Sequence, residues 1–334
     1  TRNAFFYFFR AEGRSGKGES DRGRWGVGKH VFPRSSRISA FFGMTVRPND
    51  PNRLLMGRAV LRSHRVSGEF YSPDAYFGEQ LANRLVVPIT DPGTLNQFNS
   101  DFSLRRRDEP GLSIVVPFVG TEPNGDSVLG QLKQAILADY YYAIVGEKLS
   151  VTLETPEESF VVDANTIDEI VAKMKVEERG DLADRITLGR WAVAQSDSEK
   201  LKLTAVIPAK PQWSDGSVPP DLVQEMRNRF TKEDKIGVRI ALTTTRTESA
   251  EIEQTYFDVF LWQQDSYDSG RPAFVREGIM ISDIRADRAR GMRSLVVVEH
   301  KPLATLLGDS ENPAHTQWQR DSSNFKGKYV NGPT

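Results

Sequence analysis

The chain has 334 residues, 38% of them hydrophobic and 10% aromatic, enough to build a sizeable core and long enough for two domains, which excludes global disorder. Its formal net charge of −1 excludes an overall field that would draw it to nucleic acid or an anionic membrane. With no cysteine, disulfides, thiolate catalysis and cysteine-based zinc sites are excluded as well, in keeping with a cytoplasmic protein.

Taken in chain order, residues 1–10 are apolar and read as the end of a helix or strand whose beginning is missing. The aromatic run Phe5 to Phe9 lacks the charged flank and cleavage site of a signal peptide. No apolar run reaches the roughly 18 residues of a membrane helix. Residues 11–22 are glycine-rich and charged and contain Gly13-Arg14-Ser15-Gly16-Lys17-Gly18. Next comes the stretch around which the chain is organised, Gly23-Arg24-Trp25-Gly26-Val27-Gly28-Lys29-His30. Three glycines at this spacing let the backbone bend and approach a ligand without a Cβ in the way. A bend of N–H groups leading into a helix start suits phosphate. The helix after it is expected to begin near Lys29 or to kink at Pro33.

Residues 38–46 and 54–62 read as two strands around the turn Pro48-Asn49-Asp50-Pro51. Residues 68–91 are loop-rich, with Tyr71, Tyr76 and Phe77 expected as local core. Residues 112–118 form a continuous apolar run, expected as a central strand covered on both sides. Ser127 is placed to cap a helix whose apolar face is Leu129, Leu132, Ile136, Tyr140 and Ala143, followed by a strand over residues 148–153.

A second region, residues 156–334, is expected to be an α/β domain with a polar tail. It opens with a short helix over residues 167–174 and a charged linker over residues 173–185. Strands follow over residues 201–207 and 236–243, flanking a helix that Pro219-Pro220 starts sharply. Further strands are expected over residues 257–262, 273–281 and 295–299. His315 falls in a polar loop, and the basic clusters at Arg105-Arg106-Arg107 and residues 285–293 read as solvated faces, leaving nucleic acid without support from charge.

Two phosphate-binding designs compete for the glycine-rich stretch. Gly23 to Lys29 fits the P-loop G-x-x-x-x-G-K, but His30 stands where a hydroxyl should hold magnesium, and no buried strand precedes it. The second design is the ATP lid of the GHKL superfamily of gyrase, heat-shock chaperones, histidine kinases and MutL-type proteins. Gly23-Arg24-Trp25-Gly26-Val27-Gly28 resembles its G-x-x-G-x-G box in the chaperone form, and Arg14-Ser15-Gly16-Lys17 resembles the serine-glycine part of that lid. Pro110-Gly111-Leu112-Ser113-Ile114-Val115-Val116 resembles the family's late strand, with Leu112 or Ser113 in place of its threonine.

The resemblance implies an α+β two-layer ATP-binding domain over residues 1–155, followed by a transducer-like α/β domain over residues 156–334. The nucleotide-binding residues it implies are Ser15, Gly16, Lys17, Gly23, Arg24, Trp25, Gly26, Val27, Gly28 and Lys29. Arg276 and Lys301 are its candidates for the transducer's basic residue. It also implies ATP and Mg2+ as ligands and a homodimer as the working form. The family's water-activating glutamate and magnesium-holding asparagine have no room before Arg10, so they are expected upstream of residue 1, and a fragment without them is expected to be inactive alone. A P-loop NTPase and a non-enzymatic interaction module are the alternative readings.

Overall fold

The computed structural model describes residues 4–11, 28–120, 128–204, 218–264, 267–268, 270–330 and 332. The chain forms two compact units that divide between Gly125 and Asp126, ahead of the expected division after residue 155. Both units mix helices and strands, as the α/β class requires.

In the first unit, α1 (Ala4–Arg10) precedes the glycine-rich stretch, and a 3-10 turn over Gly28–His30 runs from it into α2 (Val31–Ser35). Two antiparallel strands follow, β1 (Ala40–Arg47) and β2 (Asp50–Val60). Arg47 pairs with Asp50, so the turn is the two residues Pro48 and Asn49, tighter than the sequence suggests. The small hairpin β3 (His64–Val66) and β4 (Glu69–Tyr71) is exposed throughout. Next come β5 (Asp74–Phe77), β6 (Glu79–Gln80), β7 (Val86–Val87), α3 (Pro92–Asp101) and β8 (Gly111–Val115). Asp91 caps α3 by accepting the Thr94 N–H at 2.7 Å, and Pro92 occupies its first turn.

The main sheet has the order β5-β2-β1-β8 and every pairing in it is antiparallel. Alternation along β1 gives each face its own cluster. Phe41 packs with Phe9 and Met56 beneath α1, while Met44 packs with Leu55, Leu95 and Phe98 of α3. β8 therefore lies at one end of the sheet, paired with β1, and is not the central strand expected from its apolar run. Its side chains are half-buried, and Leu112 is exposed. Of the three loop aromatics, Tyr76 joins the core beneath α1, while Tyr71 and Phe77 are exposed.

The second unit begins with α4 (Val128–Val145) and the hairpin β9 (Val151–Glu154) and β10 (Ser159–Val162). Then follow α5 (Ile167–Ala172), α6 (Val176–Arg179), α7 (Leu182–Ala194), β11 (Leu201–Thr204) and α8 (Pro220–Glu233). The long strands β12 (Lys235–Thr245) and β13 (Ile252–Gln263) precede β14 (Ala273–Arg276), β15 (Ile279–Met280), β16 (Met292–Val298) and α9 (Lys301–Ser310). Six strands form one mixed sheet, β11-β12-β13-β16-β14-β15, with β11 parallel to β12 and β14 parallel to β16. Phe260, Leu295 and Val297 pack against α4 and α7 on one face. On the other, Val238 and Ile240 pack with Leu222, Met226 and Phe230 of α8, and Val298 with Leu303 of α9.

Three expectations are corrected here, and the loop expected around His315 is found. The residues expected as a charged linker hold α6 and the start of α7, whose Ile186 is fully buried. The buried face of α4 is Leu137, Tyr141 and Ile144, whereas Leu132 and Tyr140 are exposed. Gly189 lets α7 approach α4 closely, since a Cβ there would stand 3.0 Å from the Tyr141 ring. The strand expected over residues 273–281 is a hairpin, turned at Glu277 and Gly278 with φ of 49° and 86°. The polar loop expected around His315 is preceded by α9, which buries Leu303, Ala304 and Thr305.

Candidate functional site

Of the expected nucleotide-binding residues, Ser15, Gly16, Lys17, Gly23, Arg24, Trp25, Gly26 and Val27 lie outside the described residues, as does the expected cap Ser127. Gly28 opens the 3-10 turn at an ordinary φ, and a Cβ on it would meet nothing within 4 Å. Nothing in the described structure demands glycine at that position.

Lys29 is buried to 8% exposure. Its Nζ donates to the Tyr7 carbonyl at 3.0 Å and to the Ala11 carbonyl. A cation at the C-terminal end of α1 satisfies carbonyls that lack partners within the helix and complements its dipole. The charge expected on phosphate thus ties residue 29 to residues 7 and 11, the far side of the glycine-rich stretch.

In the second unit the two basic candidates differ. Arg276, on β14, is buried in an ion pair with Glu311: its Nη2 donates to Oε2 at 2.8 Å and its Nε to Oε1. Glu311 is fully buried and also receives His315 Nδ1 at 2.6 Å. Burial pushes the Glu311 carboxyl up, but hydrogen bonds from His315 and Arg276 outweigh it and hold the carboxyl below the usual range. Arg276 cannot turn to another anion without abandoning a buried carboxylate. Lys301 sits in the first turn of α9, half-exposed, with Nζ 4.0 Å from Glu277.

The second unit also holds a cleft of about 340 Å³, where α4 and α7 end over the sheet. Its floor is Phe260 and Val297. Its wall is a charged network that joins residues far apart in sequence. Asp258 of β13 accepts Arg239 Nε at 2.8 Å and Nη2 at 2.9 Å, and Lys200 Nζ at 2.8 Å. The Arg239 guanidinium lies 3.8 Å over the Tyr256 ring, and that ring stacks on His300 at 4.4 Å. Hydrogen bonding to Asp258 raises the Arg239 pKa further, fixing its charge. Asp197, on the turn after α7, approaches Arg239 Nη1 at 2.8 Å and Lys200 Nζ at 3.5 Å. At the rim, Lys148 and Glu299 pair at 2.6 Å.

Of these six charged residues only Glu299 stands out in the sequence, as the acid that ends the apolar run over residues 295–299 and could pass for a Walker B strand. One signal existed for two more: Arg239 and Asp258 interrupt apolar strand runs, and the register pairs them directly. Among the described residues, no three His, Asp or Glu side chains gather as a metal site. No helix among them is long and apolar enough to cross a membrane. No protein-family model matches the chain, and no curated protein matches it.

Proposed function

We propose that the chain is part of an ATP-driven conformational switch of the GHKL type. In this reading Ser15, Gly16 and Lys17 and the stretch from Gly23 to Gly28 wrap the triphosphate with backbone N–H groups. Lys29 anchors the exit of that stretch to the end of α1 instead of contacting phosphate. The magnesium that accompanies ATP draws its protein ligand, and hydrolysis its glutamate base, from residues other than those described. Lys301, half-exposed where Arg276 is buried, is the better candidate for a basic residue that reports on the γ-phosphate. The working form is a cytoplasmic homodimer.

The observation that carries this reading is the order of elements around the glycine-rich stretch. A helix precedes it, a helix start follows it, and the next strands are antiparallel. A P-loop requires a strand immediately before its glycines; residues 12–22, which hold that place, lie outside the described residues, and the last described element ahead of them is α1.

The test is calorimetric titration of the full-length protein with a non-hydrolysable ATP analogue. Saturable binding is expected, weakened about tenfold or more by Gly26→Ala. Equal binding by wild type and variant moves the phosphate site elsewhere, and no binding by either overturns the reading.

A further inference from the structure

The cleft of the second unit carries an unbalanced charge. Its three least exposed ionised side chains are Lys200, Asp258 and Arg239, at 9%, 10% and 14% exposure. Two cations thus share one buried carboxylate, and the interior of the cleft is left with one net positive charge. Asp197 makes up the difference from outside, at 69% exposure. It sits on a solvent-facing turn closed by the Ser196 N–H and hydroxyl on Glu199, each at 2.7 Å. The donors are therefore fixed and the acceptor is not. Arg239 is held from behind by its two bonds to Asp258 and from below by the Tyr256 ring, which rests on His300. An exposed ion pair of the kind Asp197 makes is screened by water and salt and holds weakly.

We propose that this cleft binds a small organic anion, a carboxylate or a phosphate monoester, whose charged group takes the place of the Asp197 side chain on Arg239 Nη1 and Lys200 Nζ. A guanidinium and an ammonium aimed at one point suit either oxyanion. The cleft is far larger than an inorganic ion needs, about 340 Å³. The anion therefore carries an organic body, which meets the exposed Val193 on the cleft wall, since Phe260 and Val297 are buried and lend it little surface. Lys148 and Glu299 at the rim supply a donor and an acceptor for polar substituents on that body. Asp197 acts as a built-in competitor that keeps the cationic pair neutralised until the ligand arrives.

The experiment titrates the whole chain with phenyl phosphate, benzoate and inorganic phosphate, followed by NMR chemical shifts. Binding of phenyl phosphate and benzoate is expected, each tighter than inorganic phosphate by about tenfold because their organic bodies fill more of the cleft. Asp197→Asn removes the competitor without touching the buried network and is expected to tighten every anion by about fivefold or more. Arg239→Gln is expected to abolish binding, with circular dichroism checking its fold. No saturable binding to wild type and Asp197→Asn up to about 20 mM overturns the proposal. So does equal affinity of those two proteins, which puts the anion elsewhere, and so does equal affinity for phenyl phosphate and inorganic phosphate. Gly26→Ala leaves this binding unchanged, which separates the cleft from the ATP reading.

Discussion

The two units use buried charge for different ends. In the first, charged side chains hold pieces of backbone together. Lys29 closes on the carbonyls of residues 7 and 11, and the buried Arg58 of β2 reaches across the sheet to Asp74 of β5 at 2.6 Å. Both pairs join segments close along the chain, 22 and 16 residues apart, 7 with 29 and 58 with 74. In the second unit, charges meet from distant elements: Lys200 with Asp258, Arg276 with Glu311, Lys148 with Glu299. A polar group that ties a loop needs one partner, whereas a network inside an α/β layer needs every member satisfied. Where one member of such a network is exposed, as Asp197 is in the cleft, its place on the buried cations is open to a competing ligand.

The sharpest way to break this contrast is Arg276→Met. It leaves the fully buried Glu311 carboxylate with His315 as its remaining ion-pair partner, and removing one member of a buried pair costs about 3 kcal/mol. Urea unfolding followed by tryptophan fluorescence reads mainly the second unit, which holds Trp191, Trp213, Trp262 and Trp318 of the chain's five tryptophans. A loss under about 1 kcal/mol would show that the pair is hydrated and that the contrast between the units is overstated.

The same carboxylate sets a pH dependence. Because Glu311 titrates below its ordinary value of 4.5 when folded, its contribution is fully present above 4.5. That contribution is lost as the pH falls through the lower, folded value, when the proton displaces the bonds from Arg276 and His315. Stability of the second unit should therefore fall below about pH 4.5 more steeply in wild type than in Glu311→Gln. Parallel acid-unfolding curves for the two proteins count against this assignment.

Glycines sharpen the comparison at a smaller scale. Gly189→Ala pushes a methyl to 3.0 Å from the Tyr141 ring at the α4–α7 contact, a strain of about 1–3 kcal/mol. Gly28→Ala meets nothing within 4 Å among the described residues and is expected to change stability by less than about 0.5 kcal/mol. Thermal unfolding of both variants tests the pair together. Were Gly28→Ala the more damaging, a demand from its own chain would replace the ligand as the reason for that glycine.

Lys29→Met keeps the apolar stem but removes the ammonium from the carbonyls of Tyr7 and Ala11, at a cost of about 1–2 kcal/mol to the first unit. Hydrogen exchange in β1 and β2 measures that loss, and Lys29→Arg should recover part of it. If exchange is unchanged while ATP affinity falls, the ammonium serves phosphate after all.

Sequence by itself determined most of the elements. The β1–β2 hairpin, α4, α8 and the long strands β12 and β13 were legible, because period, turn residues and caps act over a few residues. The mixed α/β class followed from their order. Tertiary structure alone decided which surfaces of those elements count. α4 is apolar on more than one face, so its buried stripe is set by α7 and β15 and not by its own pattern. Residues 111–115 are apolar enough for a central strand, yet they pair with β1 at one end of the sheet, which no local signal reports. Residues 182–194 carry charges that hid a helix whose burial depends on Gly189 fitting against Tyr141. The cleft was least legible of all. Lys200, Arg239 and Asp258 are ordinary surface residues by type, and they become a site when strand register and two helix ends bring both cations within 3 Å of Asp258.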